Sequence, residues 1–168
     1  SVPISYADIE LADTFLITGA NPAFCHPILF RRIEQHKEKN PKTKIIVIDP
    51  RRTDSAIAAD LHLQIVPGTD IVLYHAIGKR LIEKGYVDSD FVKNHTENYQ
   101  LYKDMVGNSS YEKASKLCGV PVSEIYLAAD IIGKAKGFIS MWAMGLNQSA
   151  IGVDKNTALL NLSLITGQ

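Results

Sequence analysis

Phe15-Leu16-Ile17, the breaker set Gly19-Ala20-Asn21-Pro22, a polar-apolar stretch from Pro27 to Lys39, and Ile45-Ile46-Val47-Ile48 closed by Asp49-Pro50-Arg51-Arg52-Thr53 together decide the fold. The first apolar run reads as a buried strand, because Gly, Asn and Pro interrupt regular structure directly after it. From Pro27 onward, Ile28, Leu29 and Ile33 fall at helical spacing among Arg31, Arg32, Glu34, Gln35 and Lys37, with proline at the helix start, where its missing N–H costs nothing. Ile45 to Ile48 is fully apolar and β-branched, as expected of a central parallel strand covered on both faces. Strand, helix, strand makes one βαβ unit.

Working outward, residues 54 to 60 predict a short helix, and Leu61-His62-Leu63-Gln64-Ile65-Val66 a third strand with partial alternation before the turn Pro67-Gly68-Thr69-Asp70. Thr69 or Asp70 is positioned to cap a helix over Ile71–Lys84, which Gly85 ends. Residues 88 to 118 are more polar and predict short peripheral helices. Ser123 is expected to cap a helix reaching about Lys136, with Glu124 in its first turn. Gly137 to Trp142 reads as another buried strand, followed by Ala143–Gln148 and a last helix from about Val153 to Ile165. Four strands alternating with helices predict an α/β fold: one domain, residues 1–168, with an open, mostly parallel Rossmann-like sheet flanked by helices.

The 168 residues suit one domain, and 46% hydrophobic with 21% charged content is globular composition. Eighteen Lys plus Arg balance eighteen Asp plus Glu, so no broad attraction for nucleic acid or an anionic membrane exists, and any anion site must be local. Cys25 and Cys118 stand apart with no CxxC or Cys/His cluster, which argues against a disulfide scaffold or a self-contained zinc or iron-sulfur site; the thiols read as reduced, and the expected compartment is the cytoplasm. No apolar run approaches the roughly 18 residues of a bilayer span. The opening at Ser1 and the stop at Thr166-Gly167-Gln168, directly after an apolar run, lead to the expectation of an internal piece of a longer polypeptide.

In an open parallel sheet the ligand crevice lies off the carboxyl ends of the strands, at the switch in strand order. That rule selects Gly19–His26, Asp49–Thr53, Pro67–Asp70 and Trp142–Gln148. Asn21 and free backbone N–H groups precede the helix at Pro27, where phosphate is favoured, although Gly19 and Pro22 also serve simply to shape a turn. Asp49 stands where such folds place an acid against a ribose hydroxyl, and its alternative is capping or pairing with an arginine. Arg51 and Arg52 offer planar forks to a phosphate or a guanine edge, one of them facing solvent. Asp70 either presents two carboxylate oxygens to paired N–H donors or caps the helix at Ile71. GxGxxG and GxxxxGK[ST] are absent, so a nicotinamide or ATP site has little support. His62 in its strand is a packing or surface residue, Cys25 lines the crevice without a base beside it, and no nucleophile, base and oxyanion site assembles.

Gly19-Ala20-Asn21-Pro22-Ala23-Phe24-Cys25-His26-Pro27, Ile48-Asp49-Pro50-Arg51-Arg52-Thr53, Ala59-Asp60-Leu61-His62-Leu63, Pro67-Gly68-Thr69-Asp70 and Trp142-Ala143-Met144-Gly145-Leu146-Asn147-Gln148, in this order, resemble the molybdopterin oxidoreductases of the dimethyl sulfoxide reductase superfamily. Within it, the surroundings of Phe24–Pro27 and the run Asn147–Lys155 are most similar to assimilatory-type nitrate reductase catalytic subunits, with formate dehydrogenases the runner-up. The resemblance implies a domain gripping a molybdenum bis(molybdopterin guanine dinucleotide). Asn21 and Cys25 would then meet the cofactor from the first loop, and Ile48, Asp49 and Arg51 would line its nucleotide end. Gly68 and Asp70 would meet the guanosine, and Met144 and Gln148 the pterin side; no catalytic or metal-ligating residue is expected here.

The same resemblance places the iron-sulfur segment and the molybdenum ligand before Ser1 and the second half of the cofactor shell after Gln168. Electrons would pass from the cluster to molybdenum, which would take an oxygen atom from nitrate and release nitrite. The expected partners are the remaining domains of the same enzyme and an electron-donor protein or subunit, and the isolated piece is expected to be inactive. A stand-alone nucleotide-binding regulatory module is the alternative, motivated by the missing catalytic residues.

Overall fold

The computed structural model describes residues 5–168. The sequence reading of Ser1 as a cut end lies outside the described residues. Strand β1 (Thr14–Thr18) leads through a short helix α1 (Pro22–Cys25) and α2 (Pro27–Lys39) to β2 (Lys44–Ile48). Helix α3 (Asp54–Ile57) then leads to β3 (Leu61–Leu63), and α4 (Asp70–Glu83) follows. Helices α5 (Ser89–His95), α6 (Tyr99–Gly107), α7 (Tyr111–Cys118) and α8 (Val122–Gly133) precede β4 (Phe138–Trp142), and α9 (Met144–Asn147) and α10 (Gly152–Thr166) close the chain. All pairings are parallel, in the order β3-β2-β1-β4.

Period-two alternation distributes the strand residues between two cores. Phe15, Ile17, Ile45 and Val47 pack against Phe30 and Ile33 of α2. Leu16, Ile46, Ile48 and Leu63 face Leu73, Tyr74 and Ile77 of α4, Ile125 and Ala128 of α8, and Leu159 and Leu162 of α10. Every residue of β1 is buried, as a parallel strand covered on both faces requires. Among the described residues no helix is long and apolar enough to cross a membrane.

Several boundaries depart from the sequence expectation. β3 stops at Leu63 rather than Val66, because the Val66 N–H donates to the Cys118 carbonyl at 2.8 Å and draws the chain toward α7. β4 is an edge strand with only Phe138 buried, since it pairs with β1 alone. Ile28 is 77% exposed, and the buried stripe of α2 is carried by Phe30 and Ile33. Pro121, not Ser123, occupies the N-cap of α8. Thr69 holds that place before α4, but its hydroxyl donates back to the Val66 carbonyl at 2.7 Å instead of capping. Both Arg51 and Arg52 are exposed.

Candidate functional site

The connection leaving β1 runs to the α2 face of the sheet, whereas that leaving β4 runs to the α4–α10 face. The switch point therefore lies between β1 and β4, at their carboxyl ends. Its floor is a backbone contact. The Gly145 N–H donates to the Gly19 carbonyl at 3.0 Å, and Gly19, at φ +55°, adopts a conformation that glycine takes without strain. The Gly19 N–H in turn donates to the Ile48 carbonyl at 3.0 Å, tying the loops after β1, β2 and β4 together.

Each residue singled out from the sequence has a defined place at this edge. Asn21 is half-buried, and its side-chain oxygen accepts from the Ser55 hydroxyl at 2.8 Å and from the Ser55 N–H at 3.3 Å. The Ser55 oxygen accepts from the Ala23 N–H at 3.0 Å, so Asn21 braces α3 against α1. Cys25 is exposed, and its thiol donates to the Asn21 carbonyl at 3.0 Å. The Ile48 side chain belongs to the core, so its contribution to the edge is its carbonyl. Asp49 is buried, with one carboxylate oxygen accepting from the Arg51 N–H at 2.8 Å. Its other oxygen has no protein donor among the described residues, and the Arg51 side chain is 79% exposed with Nε 3.7 Å from Asp49. Gly68, at φ +89°, has open space where a side chain would stand, leaving its backbone accessible. Met144, the first residue of α9, and Gln148, which follows it, are both exposed in the segment leaving β4, while Leu146 between them is buried.

Asp70 does not act as the cap of α4. It is the first residue of α4, buried, with its carboxylate 2.8 Å from the Lys155 ammonium of α10. Around it, Tyr74 and Thr18 share a hydrogen bond of 2.6 Å and the Cys118 thiol donates to the Thr69 carbonyl at 3.6 Å. Burial pushes both the Tyr74 hydroxyl and the Cys118 thiol above their ordinary pKa ranges, and the charge on Asp70 adds to each shift. Both groups are therefore neutral at physiological pH, which leaves Lys155 as the counterion.

Lys155 and Ser55 are the site residues that sequence reasoning missed. Lys155 does have a local signal: it lies three and four residues before Ala158 and Leu159, on the buried stripe of α10. Two concavities lie elsewhere, one of about 600 Å³ lined by Lys79, Glu83 and Lys103 and one of about 320 Å³ at α5, and neither includes any of the four edge segments.

The donor set at the edge suits a nucleotide. A guanidinium meets phosphate, a carboxylate with a free oxygen meets a ribose hydroxyl, and a buried carboxylate meets N–H donors. The molybdopterin oxidoreductase family model matches residues 1–168. The chain is 42% identical over 166 residues to a nitrate reductase of Synechocystis sp., covering 99% of this chain and 23% of that protein. It is 44% identical over 163 residues to the F420-dependent formate dehydrogenase subunit alpha of Methanocaldococcus jannaschii, covering 97% of this chain and 24% of that protein. Among solved structures, acetylene hydratase from Pelobacter acetylenicus superposes with a TM-score of 0.87 at 26% identity, covering 97% of this chain and 22% of that one. The chain thus spans about a quarter of the length of the relatives it matches.

Proposed function

Because the chain belongs to the molybdopterin oxidoreductase family, we propose that its carboxyl edge holds the nucleotide end of a molybdopterin guanine dinucleotide within a molybdenum oxidoreductase that reduces nitrate to nitrite. The observation that carries this reading is that backbone hydrogen bonds tie the loops after β1, β2 and β4 together at the switch point, while the Asp70–Lys155 ion pair joins the start of α4 to the helix that follows the β4 loop. When bound, the cofactor supplies the redox chemistry at molybdenum.

This chain's residues bind and orient. Arg51 offers its fork to the pyrophosphate, and the free Asp49 oxygen accepts from a ribose hydroxyl. The open backbone at Gly68 admits the guanosine, and Asp70 accepts from the guanine edge. Met144 and the Gln148 amide meet the pterin side, while Asn21 and Cys25 shape the first loop. The iron-sulfur cluster, the metal ligand, the electron-donor partner and the remaining enzyme domains belong, in this reading, to the rest of the protein. We place it in the cytoplasm on its two free thiols. A formate-oxidising enzyme is the second reading, favoured by the 44% identity to the formate dehydrogenase subunit.

A thermal-denaturation titration with GMP, GDP and NAD tests the site. The guanine nucleotides are expected to stabilise the protein, by about 2.7 kcal/mol at a hundred times Kd. NAD has no matching site, and Asp70→Asn should abolish the guanine effect. Equal stabilisation by NAD, or an undiminished guanine effect in Asp70→Asn, contradicts the assignment.

A further inference from the structure

The segment Ala59-Asp60-Leu61-His62-Leu63 belongs to none of the strand-end loops, yet its side chains reach one of them. Alternation along β3 sends Leu61, Leu63 and Ile65 into the core against α4, which leaves Asp60, His62 and Gln64 on the other side. Asp60 pins the start of the strand. Its N–H donates to the Ile45 carbonyl at 2.9 Å, and its carboxylate accepts from the Ile45 N–H at 2.8 Å. With that register fixed, His62 Nε2 lies 2.9 Å from the Asp49 carbonyl, and the Gln64 amide nitrogen donates to the Pro50 carbonyl at 3.0 Å. A carbonyl oxygen can only accept, so His62 is the donor and its Nε2 carries a proton. On either side of these two, the Gly19 N–H donates to the Ile48 carbonyl and the Thr53 N–H to the Arg51 carbonyl, both at 3.0 Å. Every carbonyl from Ile48 to Arg51 thus has a protein donor, in an irregular surface segment of the kind that is ordinarily mobile.

We propose that His62, together with Gln64, is a positioning residue for the nucleotide end: the two side chains hold the Asp49–Pro50 backbone so that Arg51 is presented to the phosphates of the nucleotide. The inference rests on the nucleotide reading of the strand ends. Arg51 needs such support from its backbone. Its side chain is 79% exposed, and its Nε stands 3.7 Å from Asp49, beyond hydrogen-bond distance, so no side-chain contact fixes the guanidinium. What is fixed is the point from which the side chain starts, because the Arg51 N–H donates to the Asp49 carboxylate at 2.8 Å and the carbonyls before it are held from β3. The ordering of this loop is then met on folding rather than on binding, which strengthens the contact it makes with a ligand. Both side chains bond to backbone carbonyls, so they act on the nucleotide through Arg51.

The test is calorimetric titration of the whole protein, free of cofactor, with GDP and with guanosine, which lacks the phosphates. Charge-assisted hydrogen bonds from Arg51 predict that the wild type prefers GDP by about tenfold or more. His62→Leu is expected to lower that preference by about fivefold. His62→Gln, whose amide nitrogen reaches about as far as Nε2, should keep it to within about twofold. In an Arg51→Ala background the preference is already small, and adding His62→Leu lowers it no further if the histidine acts through the arginine. A histidine that only supported the fold would lower Tm and leave the ratio of the two affinities unchanged. A folded His62→Leu protein with the full preference therefore overturns the proposal, as does a loss that is equal in His62→Gln or that persists undiminished beside Arg51→Ala. If His62→Leu does not fold, Gln64→Leu decides, since that position is exposed: a lowered ratio supports the positioning role and an unchanged one overturns it. Wild-type protein that binds neither compound overturns the site reading together with this one. Wild-type protein that binds both equally overturns the role of Arg51 and its support while leaving a nucleoside site.

Discussion

Replacing Lys155 with methionine lowers the unfolding free energy of the chain by about 3–5 kcal/mol, the loss expected when one partner of a buried ion pair is removed and the other charge is left without compensation. The Asp70 carboxylate is the charge left behind, with neutral Tyr74 and Cys118 as its neighbours. Adding Asp70→Leu to Lys155→Met is expected to recover most of that loss, because a well-packed apolar pair replaces two desolvated ions at little or no net cost. The double variant would thus be more stable than the single one while having lost the acceptor for a guanine edge. Urea denaturation of the three proteins measures this. A Lys155→Met chain within about 1 kcal/mol of wild type would show that Asp70 reaches water or another donor.

Gly145→Ala is the second large effect, expected to cost about 3 kcal/mol from overpacking together with a broken hydrogen bond. A methyl group at Gly145 would stand 2.6 Å from both the α-carbon and the carbonyl oxygen of Gly19. Those are backbone atoms, so no rotamer change relieves the clash. The loops after β1 and β4 must separate, which breaks the Gly145 N–H to Gly19 carbonyl bond and carries Asn21 away from Met144. Gly107→Ala is the control, because nothing lies within 4 Å of the added carbon there. Equal stability of the two variants in urea denaturation would contradict the account of the switch-point floor.

Local pattern was enough for the elements that carry the edge. Phe15–Ile17 and Ile45–Ile48 are legible as strands because both faces are covered and every position is apolar. Pro27 marks the start of α2 to the residue, since proline suits the first helical position. Leu61–Val66 was over-read because alternation persists beyond Leu63, while the event that ends β3 is a hydrogen bond to Cys118, far along the chain. Ile28 satisfies the helical spacing of α2 and still faces solvent, because only the fold decides which apolar stripe meets the sheet.

At the site, the loops were legible through the strand-end rule, but their internal partners were not. That Asn21 braces Ser55, that Gly19 rests on Gly145 and that Asp70 pairs with Lys155 are contacts between distant segments, and no spacing within either segment encodes them. The stripe position of Lys155 shows that it is buried, without showing against what.

Amide hydrogen exchange of the whole cofactor-free protein, with and without saturating GDP, tests the central claim most directly. The account predicts slowed exchange together at Gly19–Asn21, Asp49–Arg52, Gly68–Asp70 and Met144–Gln148, with little change around the cavity at Lys79, Glu83 and Lys103. Protection confined to that cavity, or spread without reaching the four strand-end segments, would contradict a nucleotide site at the carboxyl edge of the sheet.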